Sequence, residues 1–267
     1  MKFRKAFGYA GGQRALLPHV INLIPAHKTF VELFAGGATI FFNKAPSEVE
    51  VINDIDNRLI NLYNVLREHP EEFKRQISLM PNSRELFARF KREIIKETDE
   101  IKRAAMYYYL ITNTWSGKTK AVGYVAKPHA SKEMEWFANR LRHVIIENLD
   151  YKECLEKYDA PDVFVYADPP YVRGGPSLYE FSFEEKDHME FADVMKRIAG
   201  KFLITYDDHP LIDILFKDYF KKRVETVKTM ASKGVGEKCG RETHLLIANY
   251  DIINRRFRPF TAKYFTF

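Results

Sequence analysis

Six short runs of apolar, β-branched residues, each stopped by a turn-forming or acidic residue, constrain the fold of this 267-residue chain more than any other feature. They fall at Thr29 to Phe34, Glu50 to Asn53, Asp162 to Ala167, Lys201 to Tyr206, Arg223 to Thr229 and Thr243 to Asn249. Bounded runs of this kind predict buried strands. Between two of them, Ser182 with Glu185 three residues on predicts a capping box, and Met189, Ala192, Met195 and Ala199 follow at helical spacing up to Gly200. Strand, helix, strand is the unit of a parallel α/β sheet, because parallel neighbours need a crossover. Residues 63–148 depart from the pattern. They are mostly helical in spacing, rich in Arg, Lys and Tyr, and hold no clear strand before the stretch Trp115 to Pro128. The expected organisation is therefore one α/β domain made of residues 1–62 and 149–267, interrupted by a helical insertion at 63–148.

An apolar fraction of 46% allows a substantial core, while 14% aromatic and 29% charged residues exclude a disordered chain. No apolar run approaches the ~18 residues needed to cross a bilayer. Met1 to Arg14 carries basic residues with no apolar stretch behind them, so no secretory signal is expected and a cytoplasmic setting is. Cys154 and Cys239 stand apart from any Cys or His at metal-ligand spacing, which predicts neither a disulfide scaffold nor a structural zinc site. Charge is segregated. Residues 1–14, 113–132 and 254–267 each carry +4 with no acid, and residues 217–241 carry +5, within a total of +6. Grouped cations suit a surface that meets a polyanion; the alternative is a set of solvated loops.

The strongest chemical signal is Asp168-Pro169-Pro170-Tyr171, directly after the predicted strand ending at Ala167. Ligands of open α/β sheets bind outside the carboxyl ends of the strands. The residue types suit transfer of a group to an aromatic amine, whose lone pair is delocalised into its ring. A carboxylate from Asp168 and the Pro169 carbonyl, each accepting one of its N–H bonds, would favour a more tetrahedral nitrogen and release that lone pair. Two prolines stiffen the turn, and Tyr171 offers a face for an extruded base.

A second signal is the strand Phe30-Val31-Glu32-Leu33-Phe34 running into Ala35-Gly36-Gly37-Ala38. Glycines there let the backbone approach a ligand closely. The pattern lacks the spacing that cradles a pyrophosphate. Asp54, in Asn53-Asp54-Ile55-Asp56, lies 18 residues beyond Gly36 at the end of the second strand, where an acid can bind ribose hydroxyls. Together these predict an adenosyl ligand without a diphosphate. A third element, Tyr9-Ala10-Gly11-Gly12-Gln13-Arg14, precedes the amphipathic run Leu16, Leu17, Val20, Ile21 and Ile24; free N–H groups at such a turn can hold a carboxylate.

In this order the motifs resemble those of the Dam-type (D12 class) DNA adenine N6-methyltransferases, which use S-adenosylmethionine (SAM), and the resemblance covers nearly the whole chain. It implies a Rossmann-like SAM-dependent methyltransferase sheet with an inserted helical target-recognition domain. Tyr9 and Gln13 would line the methionine end of SAM and Asp54 its ribose, with Glu32, Phe34, Gly36 and Asp168 completing the cofactor set. Asp168, Pro169, Pro170 and Tyr171 would be catalytic. The family usually has Trp at the position of Tyr9 and Lys at that of Gln13, so the carboxylate contact is weakened or replaced; Leu33 stands where Pro is common.

The insertion would read double-stranded DNA. Asn113-Thr114-Trp115-Ser116-Gly117-Lys118 and Gly123-Tyr124-Val125-Ala126-Lys127-Pro128 loosely match the family's recognition loop, and Trp115, Lys118, Lys120, Tyr124 and Lys127 are the candidate DNA contacts. Members reading GATC tend to carry Arg where this chain has Val122. Arg grips guanine through two hydrogen bonds and Val cannot, so GATC is not assigned. Trp115 and Tyr124 would either wedge into the duplex or pack on the helical core. Gly117-Lys118-Thr119 is no phosphate loop, since the required earlier Gly falls at Thr112, and His188 and His209 read as surface or helix-end residues. No metal and no obligate protein partner are expected. Cytosine N4, an RNA base or a protein amide are alternative acceptors, and a DNA-binding regulator without turnover is the alternative from another class.

Overall fold

The computed structural model describes residues 3–9, 14–114, 123–127, 133–174, 182–227 and 240–254. The first half runs α1 (Leu17–Ile21), β1 (Thr29–Glu32), α2 (Thr39–Asn43), β2 (Val49–Asn53), α3 (Asn57–Glu68), α4 (Pro70–Ser78), α5 (Arg84–Glu93) and α6 (Glu100–Thr112). The second runs α7 (Met134–Leu141), β3 (Ile145–Glu147), α8 (Tyr151–Tyr158), β4 (Val163–Ala167), α9 (Glu185–Met195), β5 (Lys201–Asp207), α10 (Pro210–Leu215), β6 (Phe220–Val227) and β7 (Arg241–Ala248).

Among the described residues these strands form one seven-stranded sheet in the order β3-β2-β1-β4-β5-β7-β6. The first five strands are parallel, and β7 runs antiparallel between β5 and β6. From β1 the chain builds outwards to β3, then returns to add β4 and β5 on the other side. The order therefore reverses between β1 and β4, where Glu32 is in register with Tyr166. A crevice opens at such a reversal, outside the carboxyl ends of the strands, and the fold is Rossmann-like.

Strand side chains alternate between two cores. Phe30, Ile52, Phe164 and Leu203 face the helices α2 to α7, while Val31, Val51, Val165 and Ile204 face α8, α9 and α10. Glu50 of β2 binds both Lys44 and Arg140 of α7, all three nearly buried, which fastens the helical segment to the sheet.

Four expectations need correction. β3 lies inside the segment 63–148 yet pairs with β2, Val51 opposite Ile145; three residues at a half-exposed edge are too few to give a buried-strand pattern. The segment's apolar side chains share one cluster with the sheet. β6 is an edge strand and not a buried one, with Val224 and Thr226 inward and their neighbours solvated. The capping box of α9 sits two residues later than Ser182 and Glu185: Asp187 accepts from the Glu184 N–H at 2.8 Å and Glu184 caps in return. His188 is buried against Tyr206 at 2.9 Å, and Met189 is exposed in its stead. His209 does cap a helix, accepting from the Leu211 N–H. No described helix is long and apolar enough to cross a membrane.

Candidate active site

The turn after β1 is built by carboxylates and one phenol. Glu32, 2% exposed, accepts from the Phe41 N–H at 2.7 Å and so holds the start of α2 beneath the turn. Gly36 adopts φ +48°, a left-handed conformation that glycine reaches at least cost. Its N–H donates to Asp54 Oδ2 at 2.8 Å, and its carbonyl accepts from the Tyr63 hydroxyl at 2.6 Å. A Cβ at Gly36 would meet the Tyr9 ring at 3.1 Å, and one at Gly37 would meet Tyr9 Cβ at 3.3 Å. Tyr9 thus lies directly over the Gly-Gly turn. It is delivered there by a strap: Asn43, buried at the end of α2, accepts from the Arg4 N–H at 2.9 Å and donates to the Arg4 carbonyl at 2.8 Å.

Asn53 joins the ends of the first three strands. Its amide donates to the carbonyls of Leu33 and Leu149, both at 3.1 Å, and its oxygen accepts from the Leu149 N–H. Asp54 follows, with Oδ1 accepting from the Asp56 N–H at 3.0 Å. Burial pushes its carboxyl up to about 6 despite the N–H groups of Asp56 and Gly36. Phe34, at the end of β1, packs in an aromatic cluster, its ring 5.7 to 5.9 Å from Tyr151, Phe183 and Phe191.

On the other side of the reversal, Asp168 follows β4. Its Oδ1 accepts from the Thr205 hydroxyl of β5 at 2.7 Å, and Thr205 lies 3.1 Å from the Tyr166 hydroxyl. Glu32 stands near enough for Asp168 to raise its carboxyl further; burial is the main cause and carries it to about 8. Pro169 is buried, and Tyr171 packs between Tyr206 and His244, ring centres 6.2 and 6.1 Å away. The next turn is clamped by Asp207 at the end of β5, whose two oxygens accept from the Val172 and Arg173 N–H groups, each at 3.0 Å.

The structure therefore brings Tyr9, Glu32, Phe34, Gly36 and Asp54 to the ends of β1 and β2, and Asp168, Pro169, Pro170 and Tyr171 to the neighbouring end of β4. Glu32 is spent on the backbone of α2, below the turn. Tyr124 and Lys127 stand on the helical segment. The Tyr124 ring packs edge-on against Phe87 of α5 at 5.8 Å, and Lys127 donates to the Thr114 carbonyl at 2.6 Å. Lys5 lies near enough to Lys127 for the two charges to oppose each other, so two of the basic stretches converge. Gln13, Trp115, Lys118 and Lys120 lie outside the described residues. Thr205, Asp207, Asn53 and Tyr63 were not readable as site residues. An acid ending a strand was the one available signal, and of these four it applies to Asp207 alone.

The arrangement offers a glycine turn, a carboxylate at the end of β2 and a second carboxylate across the reversal. Known proteins similar to this chain are methyltransferases. The Type II methyltransferase M1.LlaDCHI of Lactococcus lactis subsp. cremoris is 26% identical over 272 residues, covering 91% of this chain and 94% of that protein. A DNA adenine methylase of Serratia marcescens is 28% identical over 64% of this chain and 68% of its own length. One from Vibrio cholerae serotype O1 is 25% identical over 88% and 93%. Residues 9–231 match the sequence profile of the D12 class N6 adenine-specific DNA methyltransferases, and the chain belongs to that family.

Proposed function

We propose that the protein transfers a methyl group from SAM to the N6 amine of an adenine swung out of double-stranded DNA, with Asp168 as the central catalytic group. The observation that carries this reading is the position of Asp168, held by Thr205 across the sheet reversal from the Gly36-Gly37 turn.

The residues present fit SAM. Gly36 and Gly37 let the turn pass close beneath Tyr9, where a Cβ would come within 3.1 to 3.3 Å of that side chain, and Asp54 offers a carboxylate at the end of β2 for hydroxyls. Tyr9 and Gln13 would hold the methionine end, Asp54 the ribose, and Phe34 an apolar face. Bound there, SAM supplies a methyl group made electrophilic by its sulfonium. The protein's own contribution is placement and electrostatics. Asp168 and the Pro169 carbonyl accept the two amine hydrogens and turn the nitrogen lone pair toward the methyl carbon. Pro170 stiffens the turn, and Tyr171 stacks on the base. With SAM bound, the new N–C bond would replace the C–S bond, whose electron pair would stay with sulfur, and Asp168 would line the path by which the surplus proton leaves the nitrogen.

Residues 63–148 would recognise the target, and residues 1–62 and 149–267 would carry the chemistry. Lys127 and Lys5, with Lys118 and Lys120, would neutralise phosphates, while Trp115 and Tyr124 would contact the opened duplex. The test is nucleoside analysis by mass spectrometry of unmethylated DNA incubated with the protein and SAM. N6-methyladenine is the expected product. N4-methylcytosine, or tight DNA binding with no modified base, would overturn the assignment.

A further inference from the structure

We infer that Thr205, backed by the Tyr166 hydroxyl, is a positioning residue for the transfer: it fixes the rotation of the Asp168 carboxylate toward the amine. This rests on the catalytic role proposed for Asp168.

The direction of the hydrogen bonds follows from the protons available. An ionised carboxylate only accepts, so the single Thr205 proton is committed to Asp168 Oδ1 at 2.7 Å. Tyr166 and Thr205 are 3.1 Å apart, and Thr205 has no second proton, so Tyr166 donates to Thr205. Burial raises the Tyr166 phenol well above its ordinary value, with Asp168 adding to the effect, and this keeps the proton in place. Thr205 is fully buried and Tyr166 2% exposed, so water does not compete for either hydroxyl.

The bonds are also directional in the fold. Tyr166 is in register with Glu32 on one side and Leu203 on the other, and Thr205 lies two residues beyond Leu203 on the same face of β5, so these polar side chains step diagonally across β1, β4 and β5. Rigid strands supply both hydroxyls, whereas Asp168 itself sits in the turn after β4. A carboxylate on a turn can rotate about its Cβ–Cγ bond, and the Thr205 bond removes that freedom. Charge-assisted bonds of this kind are stronger than neutral ones, and a polar chain reinforces them. Among the described residues, Glu32 of β1, Tyr166 of β4 and Tyr206 of β5 are titratable groups whose ionisation the Asp168 charge opposes.

The test compares Thr205→Val, Thr205→Ser and Tyr166→Phe in single-turnover methylation of unmethylated DNA with radiolabelled SAM. Thr205→Val keeps the branched shape and loses the hydroxyl. Its rate is expected to fall by about 10- to 100-fold, the scale of one lost charge-assisted hydrogen bond, with KM for SAM and DNA within about twofold. The acid limb of its pH profile moves to higher pH, because a donor that favoured the carboxylate is gone. Thr205→Ser restores the rate. Tyr166→Phe removes one hydroxyl without opening a large cavity and gives the same changes at smaller size, so the idea stays testable if the valine variant folds poorly. Full activity in Thr205→Val, a serine variant as slow as the valine one, or a loss confined to KM would overturn the inference. A wild-type protein that methylates no DNA would overturn the function and this inference together, a result distinct from an active wild type with equally active variants.

Discussion

Replacing Glu32 by Gln probes the electrostatics beneath the Gly-Gly turn. Burial pushes the Glu32 carboxyl up to about 8 from an ordinary 4.5, only partly offset by the N–H groups of Phe41 and Ile40. The folded chain therefore keeps this proton between about pH 4.5 and about pH 8, where the unfolded chain has released it. Stability falls as pH rises through that window and is about 5 kcal/mol lower above it than below, at ~1.4 kcal/mol for each tenfold difference in proton affinity. Glutamine keeps an acceptor for the Phe41 N–H and cannot ionise. The carboxyl of Asp54, raised to about 6, imposes a slope of the same sign at lower pH. Lys44, lowered to about 8, imposes the opposite slope above that pH. Both groups remain in the variant, so the difference between the two proteins comes mainly from Glu32, with a smaller part from the Lys44 charge coupled to it. Urea unfolding at about pH 5 and about pH 9 should give Glu32→Gln a relative gain of several kcal/mol at the higher pH. Parallel pH dependence in the two proteins would refute the reasoning.

Three further outcomes are expected. Asp207→Ala removes the acceptor of two backbone N–H groups and should cost about 2–3 kcal/mol, discounted because the Arg173 amide can regain water; faster hydrogen exchange at Val172 and Arg173, with a lower kcat, checks it. Asn43→Ala releases the strap that carries Tyr9 and should raise KM for SAM several-fold with kcat nearly unchanged, read from steady-state kinetics. Lys127→Gln should weaken DNA binding and reduce the slope of log affinity against log salt by about 1.

The sheet was legible because its strands are continuous apolar runs that end in polar residues, and Asp168 and Asp54 were legible because each directly follows such a run. Position after a strand suffices to put a side chain in the crevice. β3 was not legible, since three edge residues carry no burial pattern, and β6 was over-read because an edge strand half faces water. Thr205 was hidden for a different reason. Within Lys201–Asp207 it is one more β-branched residue, and only the pairing of β4 with β5 brings its hydroxyl to Asp168. Asn43 and Arg4 are 39 residues apart and meet through the chain's path over α2, which no local pattern encodes. Glu32 was readable as a polar residue at a strand end, but its use on the Phe41 N–H depends on how sharply the turn folds back.

The role given to Asp168 is tested most directly by single-turnover methylation with Asp168→Ala, run alongside circular dichroism and equilibrium SAM binding. The variant is expected to keep the wild-type spectrum and to bind SAM, while forming no N6-methyladenine. A folded variant that methylates adenine at the wild-type rate would contradict the account.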